Sequence, residues 1–484
     1  MSVLGIDVGT TTCKGVLLSQ DGKILAQTFQ NYAEKPTIVE DRAEIPAQVF
    51  KEGVFSIIKK LSLSAGDDPV EAVALSTHGE TLIPVDGDGN PLYPAILSMD
   101  RRAIPQAKRM AEQIGEENFY RICGTPIHSQ YPTAKIAWLK ENEKEIADKT
   151  VTYCTTQDYL HIALGVGKFV DYSLASRFGG FNIRKKKWSE EVLRAIGETE
   201  EKFSTPEVAG KKIGVIPKAI ASQLNLGENV AVVLGGHDQP CSALGMGARE
   251  DTATVSAGSY ECLSVMTDEP LNGKDGYRYG LNSYCHVVDG KYVTLAFFAS
   301  GLMVSWFVNT LLSGKQTIEE LENLAPSTPT GICFTPHVYG ATNPRWDDKA
   351  TAKIVGVTAG AGIGHLYKAL LEGASCELDL NVRVLEKLAG KREFLTFCGG
   401  SAKSDLWMQL RADMTGREVH RLNDDVDCSC MGAGILAGIG CGIFKNADDA
   451  LAKICYQKTA FAPKNATAYI EQKEKYRVLT GVEL

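Results

Sequence analysis

Two short turns of glycine and small hydroxyl residues carry the first chemistry in the chain. Gly9-Thr10-Thr11-Thr12 separates the apolar runs 3–8 and 14–18, and Ser256-Ala257-Gly258-Ser259 separates a second such pair. A hairpin of this composition can point backbone N–H groups outward and add hydroxyl donors, which suits a phosphate. A plain Gly-Thr hairpin is the alternative for either turn alone; two turns, each opening one half of the chain, favour the phosphate. Asp7, just before the first turn, is placed to face a Mg²⁺ that accompanies a nucleotide. A third element, Phe397-Cys398-Gly399-Gly400-Ser401-Ala402-Lys403-Ser404, lies between a strand pattern and a helical pattern at 404–415. Glycine there lets a flat ligand lie against the backbone, and the following helix N-terminus favours negative charge. The G-x-G-x-x-G spacing of a dinucleotide fold is absent from it. Finally, the apolar run Val230-Ala231-Val232-Val233-Leu234 ends in Gly235-Gly236-His237-Asp238-Gln239. A carboxylate at such a strand end is either a helix cap or, facing a cleft, a general base.

These residues need a scaffold, and the hydrophobic pattern supplies one. Runs 3–8, 14–18 and 23–26, punctuated by Gly9 and by Asp21-Gly22, read as an antiparallel meander. Helical patterns follow at 45–61 and 101–115, and Val70–Ser76 reads as a buried strand ending on polar residues. Near residue 250 the meander restarts, which divides the chain almost in half. The expectation is two related α/β lobes around a central cleft, 1–245 and 246–484, with a linker near 243–250. The small-residue stretch Met431–Gly438 reads as a helix packed closely under the 397–404 element.

Composition narrows the function classes. The 484 residues are 44% hydrophobic and 23% charged, ordinary for a globular protein of two or three domains. Lys and Arg number 51 against 59 Asp and Glu, a formal charge of −8, so a broad nucleic-acid groove is not expected. Arg184-Lys185-Lys186-Lys187-Trp188 reads as a solvated turn before a helix, not a nucleic-acid patch. No apolar run is long enough for a membrane span, and the N-terminus, with an acid at position 7, does not read as a signal peptide. The thirteen cysteines include no C-x-x-C pair and read as reduced, buried thiols of a cytoplasmic protein.

With these elements in place the sequence resembles the FGGY family of carbohydrate kinases, within the actin, hexokinase and heat-shock ATPase superfamily. Pro132-Thr133-Ala134-Lys135-Ile136-Ala137-Trp138-Leu139-Lys140-Glu141-Asn142 fits the family's first signature, with Gln130 unusual at its start. Ala352–Val357 followed by His365–Glu372 resembles the second, with Leu370 larger than the family prefers. The resemblance implies an α/β fold of two ribonuclease H-like lobes, the N-terminal one carrying a sugar site and the C-terminal one much of an adenosine site. ATP would lie in the cleft with Mg²⁺ linked to Asp7 and Asp238. Gly9, Thr10, Thr11, Thr12, Lys14, Gly258 and Ser259 would hold its phosphates, and Gly399, Gly400 and Ser401 would line the adenosine pocket. In the second turn the family's Gly-Thr is replaced by Gly258-Ser259, followed by the bulky Tyr260.

The resemblance also assigns the reaction. Asp238 matches the Gly-Gly-x-Asp catalytic aspartate, which takes the proton of a sugar hydroxyl as that oxygen attacks phosphorus; His237 would orient it, with Gln239 beside the sugar. Ser76-Thr77-His78-Gly79-Glu80 resembles the Met-His-Gly segment of xylulokinases, with Thr77 in place of Met and Glu80 in place of a small residue. A core or capping role is the alternative for His78. The Arg-Glu pair of glycerol kinases is absent, which counts against glycerol. Asp100 and Arg102 match an Asp-x-Arg motif beside the sugar, with a surface ion pair as the alternative. Residues 157–160 and 171–176 follow the family pattern as lobe structure behind the site. The implied function is an ATP-dependent kinase of a small ketose, first of all a pentulose such as D-xylulose. Other ketoses, erythritol and gluconate are rivals, and a non-catalytic sensor finds support only in Tyr260 and Glu80. A homodimer is a family-level expectation.

Overall fold

The computed structural model describes residues 1–423, 427–454 and 456–482. The meander forms as expected: β1 (Ser2–Val8), β2 (Thr12–Ser19) and β3 (Ile24–Asn31) pair antiparallel around the turn at 9–12. Helix α1 (Gln48–Ser64) covers one face of this sheet with Phe50, Val54, Ile57, Ile58 and Leu61, all buried. Strand β4 (Val70–Thr77) runs parallel to β1. The long connection that follows carries α2 (Pro132–Asn142), α3 (Thr156–Ala163) and α4 (Tyr172–Ser176). The chain then returns through the edge strand β5 (Lys212–Val215) to β6 (Ala231–His237), which is parallel to β4 and leads straight into α5 (Asp238–Gly245).

The second half repeats this plan. β7 (Thr252–Ala257) and β8 (Tyr260–Thr267) form a hairpin; β9 (Asn282–Cys285) and β10 (Tyr292–Ala299) extend it. After α6 (Gly301–Trp306) and the long α7 (Ile363–Ala389), β11 (Phe394–Cys398) lies parallel to β7. Helix α8 (Asp405–Thr415) leads to β12 (Glu418–Leu422), parallel to β11; α9 (Cys428–Gly440) and the edge strand β13 (Lys458–Phe461) follow. The first sheet runs β5-β6-β4-β1-β2-β3 and the second β9-β10-β8-β7-β11-β12-β13. Each holds three antiparallel strands, then two parallel ones, and each first hairpin carries a Gly-hydroxyl turn. The meander expected to restart near residue 250 does so.

One packing expectation is corrected. Residues 431–438 are helical, but α9 packs on α5 and β1, not under the 397–404 element, which only its first residue, Cys428, approaches through Cys398. The small residues explain the choice. A Cβ on Gly432 would lie 2.0 Å from the Cys241 carbonyl oxygen, and one on Gly245 would lie 1.9 Å from that of Cys428. The two helices therefore touch backbone to backbone, a distance only glycine permits. Arg184–Lys186 form the turn of a short hairpin ahead of a helix at Glu190–Ala195, with Arg184 on Glu269 at 2.8 Å, as a solvated turn should. Ten of the twelve cysteines among the described residues are buried. Among the described residues no helix is long and apolar enough to cross a membrane.

A Cβ on Gly5 would lie 2.0 Å from the Cys430 carbonyl oxygen, so Gly5→Ala must push α9 off β1. The expected cost is about 1–3 kcal/mol, read as a lower thermal midpoint. A midpoint equal to wild type would mean that strand and helix are not in contact there.

Candidate active site

The first strand, α5 and the start of α9 bring the carboxylates of Asp238 and Asp427 within electrostatic reach of Asp7, with Asp427 lining the cleft. Asp7 near the end of β1 accepts a hydrogen bond from Ser76 Oγ at 2.8 Å. Burial, together with the charges of Asp427 and Asp238, pushes its carboxyl well above the usual range. Asp427, which the sequence reading did not single out, caps α9: its Oδ1 accepts from the Ser429 and Cys430 N–H groups at 3.0 and 3.1 Å. Its other oxygen pairs with Lys14 at 2.8 Å. Asp238 is no cap. It is the first residue of α5, and its buried Oδ1 is turned to the His237 ring. Burial and the neighbouring Glu80 raise its pKa to about 7, against opposing hydrogen bonds from Gln239 and the charge of Arg177.

His237 stands beside it, Nε2 3.1 Å from Asp238 Oδ1, with Nδ1 2.7 Å from Tyr284 Oη. Burial, Arg177 and His78 hold its pKa far below the ordinary value, so the ring is neutral and orients the carboxylate. The segments at 157 and 171 brace it from behind. Asp171 caps α4 through Ser173 and Leu174 N–H, and Ser173 Oγ accepts the His237 N–H at 2.9 Å. Gln157 joins this support, donating to the Leu75 carbonyl at 3.3 Å and accepting the Asp171 N–H at 3.0 Å.

The loop at 78–80 reaches the same place: a Cβ on Gly79 would lie 3.0 Å from the His237 ring. His78 is committed to the protein, with Nδ1 2.8 Å from the Val8 carbonyl and Nε2 3.1 Å from Thr156 Oγ1. Its ring therefore ties β1, the loop and α3 together. Glu80 forms a buried ion pair with Arg177, a residue that the sequence reading stopped one position short of. Lys135, from the first signature on α2, donates to the carbonyls of Glu80 and Leu97 at 2.6 and 2.8 Å, and burial lowers its pKa to about 7. Asp100 and Arg102 do pair, but in the interior and not on the surface: they are 1% and 8% exposed. Arg102 also reaches Glu44 at 2.5 Å and stacks on Trp138. Asp100 spends its remaining capacity on the Ala43 N–H, so this pair stiffens the wall and presents no free group.

Of the first turn, Thr10 and Thr11 remain uncommitted, whereas Thr12 begins β2 and donates its proton to Asn31 Oδ1 at 3.0 Å. The second turn closes through Gly258 N–H on the Tyr260 carbonyl, and Tyr260 is 41% exposed, so its bulk does not distort the turn. Gly399 has φ +102° and meets Ala257; Ser401 Oγ donates to the Ala257 carbonyl at 3.2 Å. The second turn and the Gly-Gly element are thus one surface. A cleft of about 1470 Å³ is lined by Thr12, Lys14, Gly399, Gly400 and Asp427. A second cavity of about 620 Å³, walled by Val304, Asn309, Ser401 and Trp407, shares Gly400 with it. An open cleft for phosphates beside a more apolar recess suits a nucleotide.

Two models of one family match the chain: the FGGY family of carbohydrate kinases, N-terminal domain, over residues 2–245, and the C-terminal domain of the same family over 253–441. The chain belongs to the FGGY family of carbohydrate kinases. It is 28% identical over 476 residues to a xylulose kinase of Staphylococcus epidermidis, covering 96% of this chain and 92% of that one. It is 26% identical over 451 residues to a gluconokinase of Bacillus subtilis, covering 90% and 86%. A gluconate kinase structure from Lactobacillus acidophilus matches with TM-score 0.91 at 23% identity over 99% and 97% of the two chains, which bears on the fold alone. The α/β fold is the actin/hexokinase-like ATPase fold, as expected, and the chain is a carbohydrate kinase.

As a carbohydrate kinase fold, the molecule fits a divalent cation at Asp7 and Asp238. Both carboxylates are underneutralised, and Asp238 keeps its second oxygen exposed. Among the described residues no group of three His, Cys, Asp or Glu side chains encloses a metal.

The raised pKa of Asp238 carries a stability sign. Its contribution to folding is fullest below the unfolded value near 3.9 and is lost as pH rises through about 7. Asp238→Asn removes that loss, so the unliganded variant is expected to melt a few degrees higher than wild type at pH 8, with the difference vanishing near pH 4. A lower midpoint at pH 8 would contradict a carboxyl whose pKa is raised by burial.

Proposed function

We propose that this carbohydrate kinase transfers the γ-phosphoryl group of ATP to a terminal hydroxyl of a small ketose, with D-xylulose as the first substrate to test. The observation that carries the reading is the part-exposed carboxylate of Asp238 at the start of α5, one oxygen turned to His237 and its pKa raised to about 7 by burial and Glu80. A base of that pKa is half ionised at neutral pH and takes a hydroxyl proton efficiently. We read residues 1–245 as carrying the sugar pocket and the base, and 246–484 as carrying the adenosine recess.

In this mechanism the sugar hydroxyl donates to the exposed oxygen of Asp238, Oδ2, and attacks the γ-phosphorus in line as its proton passes to the carboxylate, while Oδ1 stays turned to His237. His237, neutral and fixed by Tyr284 and Ser173, keeps that carboxylate aimed. The N–H groups of the first turn, with Thr10 and Thr11, and Ser259 of the second, donate to the phosphates. Lys14, held by Asp427, adds a positive charge at the same cleft. When bound, Mg²⁺ at Asp7 and Asp238 supplies neutralisation of phosphate charge. Closure of the two halves would exclude water, which otherwise competes with the sugar for the phosphoryl group.

Asp238→Asn is expected to keep nucleotide binding, measured by calorimetry, while sugar-dependent ADP release falls by at least ~10²-fold. Wild-type turnover in that variant would remove the base from the mechanism. A panel of ketoses, polyols and aldonates in the same assay identifies the acceptor; ADP release that no panel member stimulates would contradict the reading.

A further inference from the structure

Glu80 is held more firmly than a pocket-lining loop requires. It sits at φ +60°, in the left-handed region that a non-glycine residue enters only when its surroundings impose it. Lys135 fixes its carbonyl at 2.6 Å. Arg177 Nε donates to its Oε1 at 2.6 Å, and the terminal nitrogen converges on the same oxygen. Oε2 is left as an acceptor. Arg177 is itself clamped between the rings of Tyr131 and Tyr284, 5.2 and 5.0 Å from their centres, and donates to Asn282 Oδ1 at 3.2 Å. The side chains of the pair are 6% and 11% exposed. A Cβ on Gly79 would lie 3.3 Å from Arg177 Cβ and 3.0 Å from His237, so the loop packs Arg177 close to His237, and Glu80 and Arg177 both act electrostatically on Asp238.

We infer that the Glu80–Arg177 pair sets the substrate class of this cleft, admitting neutral ketoses and polyols and rejecting sugar acids. The inference rests on the kinase reading above and deepens it. Glu80 Oε2 and the exposed Asp238 Oδ2 are both acceptors. A hydroxyl can donate to each, whereas an aldonate carboxylate has no proton to give and meets two like charges. The cations near this loop are already engaged: Arg177 by Glu80, Lys135 by backbone carbonyls, Arg102 by Asp100 and Glu44. Arg177 acts through Glu80 and is a positioning residue.

The test compares wild type, Glu80→Gln and the double variant Glu80→Gln/Arg177→Gln. Each is assayed for kcat and KM with D-xylulose, D-ribulose, erythritol and gluconate, and each sugar is also titrated calorimetrically without nucleotide. Wild type is expected to favour its best neutral substrate over gluconate by about 10²-fold or more in kcat/KM. Glu80→Gln exposes the Arg177 charge and should narrow that ratio about tenfold, mainly through a lower KM for gluconate. The double variant removes both charges but keeps two amides in place, which covers the case that Glu80→Gln alone does not fold. It should raise the neutral KM about tenfold with kcat little changed, and gain no gluconate affinity. A wild-type preference for gluconate overturns the inference; so does an unchanged neutral KM in the double variant. In those cases sugar phosphorylation persists and the kinase reading stands. Absence of turnover and binding with every sugar overturns both.

Discussion

Negative charge gathered around Asp7, and left largely unneutralised by the protein, is the constraint that organises this molecule. Asp7, Asp238 and Asp427 come from a strand and two helices whose backbones touch through Gly5, Gly245 and Gly432. Only Asp427 has a cation of its own, Lys14. The other two carboxylates are driven upward by burial and by their neighbours. Such a site costs folding energy when empty and is complemented by a ligand that brings cationic charge, hydroxyl protons, or both. That is the electrostatic signature expected of a phosphoryl-transfer centre, where positioning and charge do most of the work.

The two halves solve the same problem with the same topology but finish it differently. Strand β6 runs without a break into α5, so Asp238 emerges at the strand tip with its side chain uncapped and available. In the second half a connection separates β12 from α9, and Asp427 spends one oxygen capping that helix. The corresponding carboxylates thus diverge: Asp427 caps a helix, and Asp238 stays part-exposed beside His237. The Glu261–Arg411 ion pair performs the equivalent bracing for the second half. It is fully buried, and Arg411 also donates to the Ser401 carbonyl at 3.2 Å, linking β8 to the Gly-Gly element.

Much of this was legible because its signals are local. The meanders, the two turns, the apolar strand ending at Gly235-Gly236, and the helix after Gly399-Gly400 are each encoded within about ten residues. The parts that escaped are assembled from distant ones. Glu80 meets Arg177, 97 residues away in the chain, a pairing that no local pattern announces. Asp427 could have been found from the repeat itself, as the counterpart of Asp238 after the fifth core strand of the second half. The partner of the small-residue helix was misread because small residues signal a close approach without naming what approaches. Thr12 and His78 carried the right residue types, but hydrogen bonds to Asn31, Val8 and Thr156 commit them to the scaffold.

The central claim is that Asp238 holds a carboxylate poised near neutrality, and ¹³C NMR of protein labelled at aspartate carboxyl carbons tests it without any substrate. The account predicts a resonance titrating at about 7 that is absent from Asp238→Asn. An Asp238 resonance titrating at the ordinary aspartate value near 3.9 would contradict it.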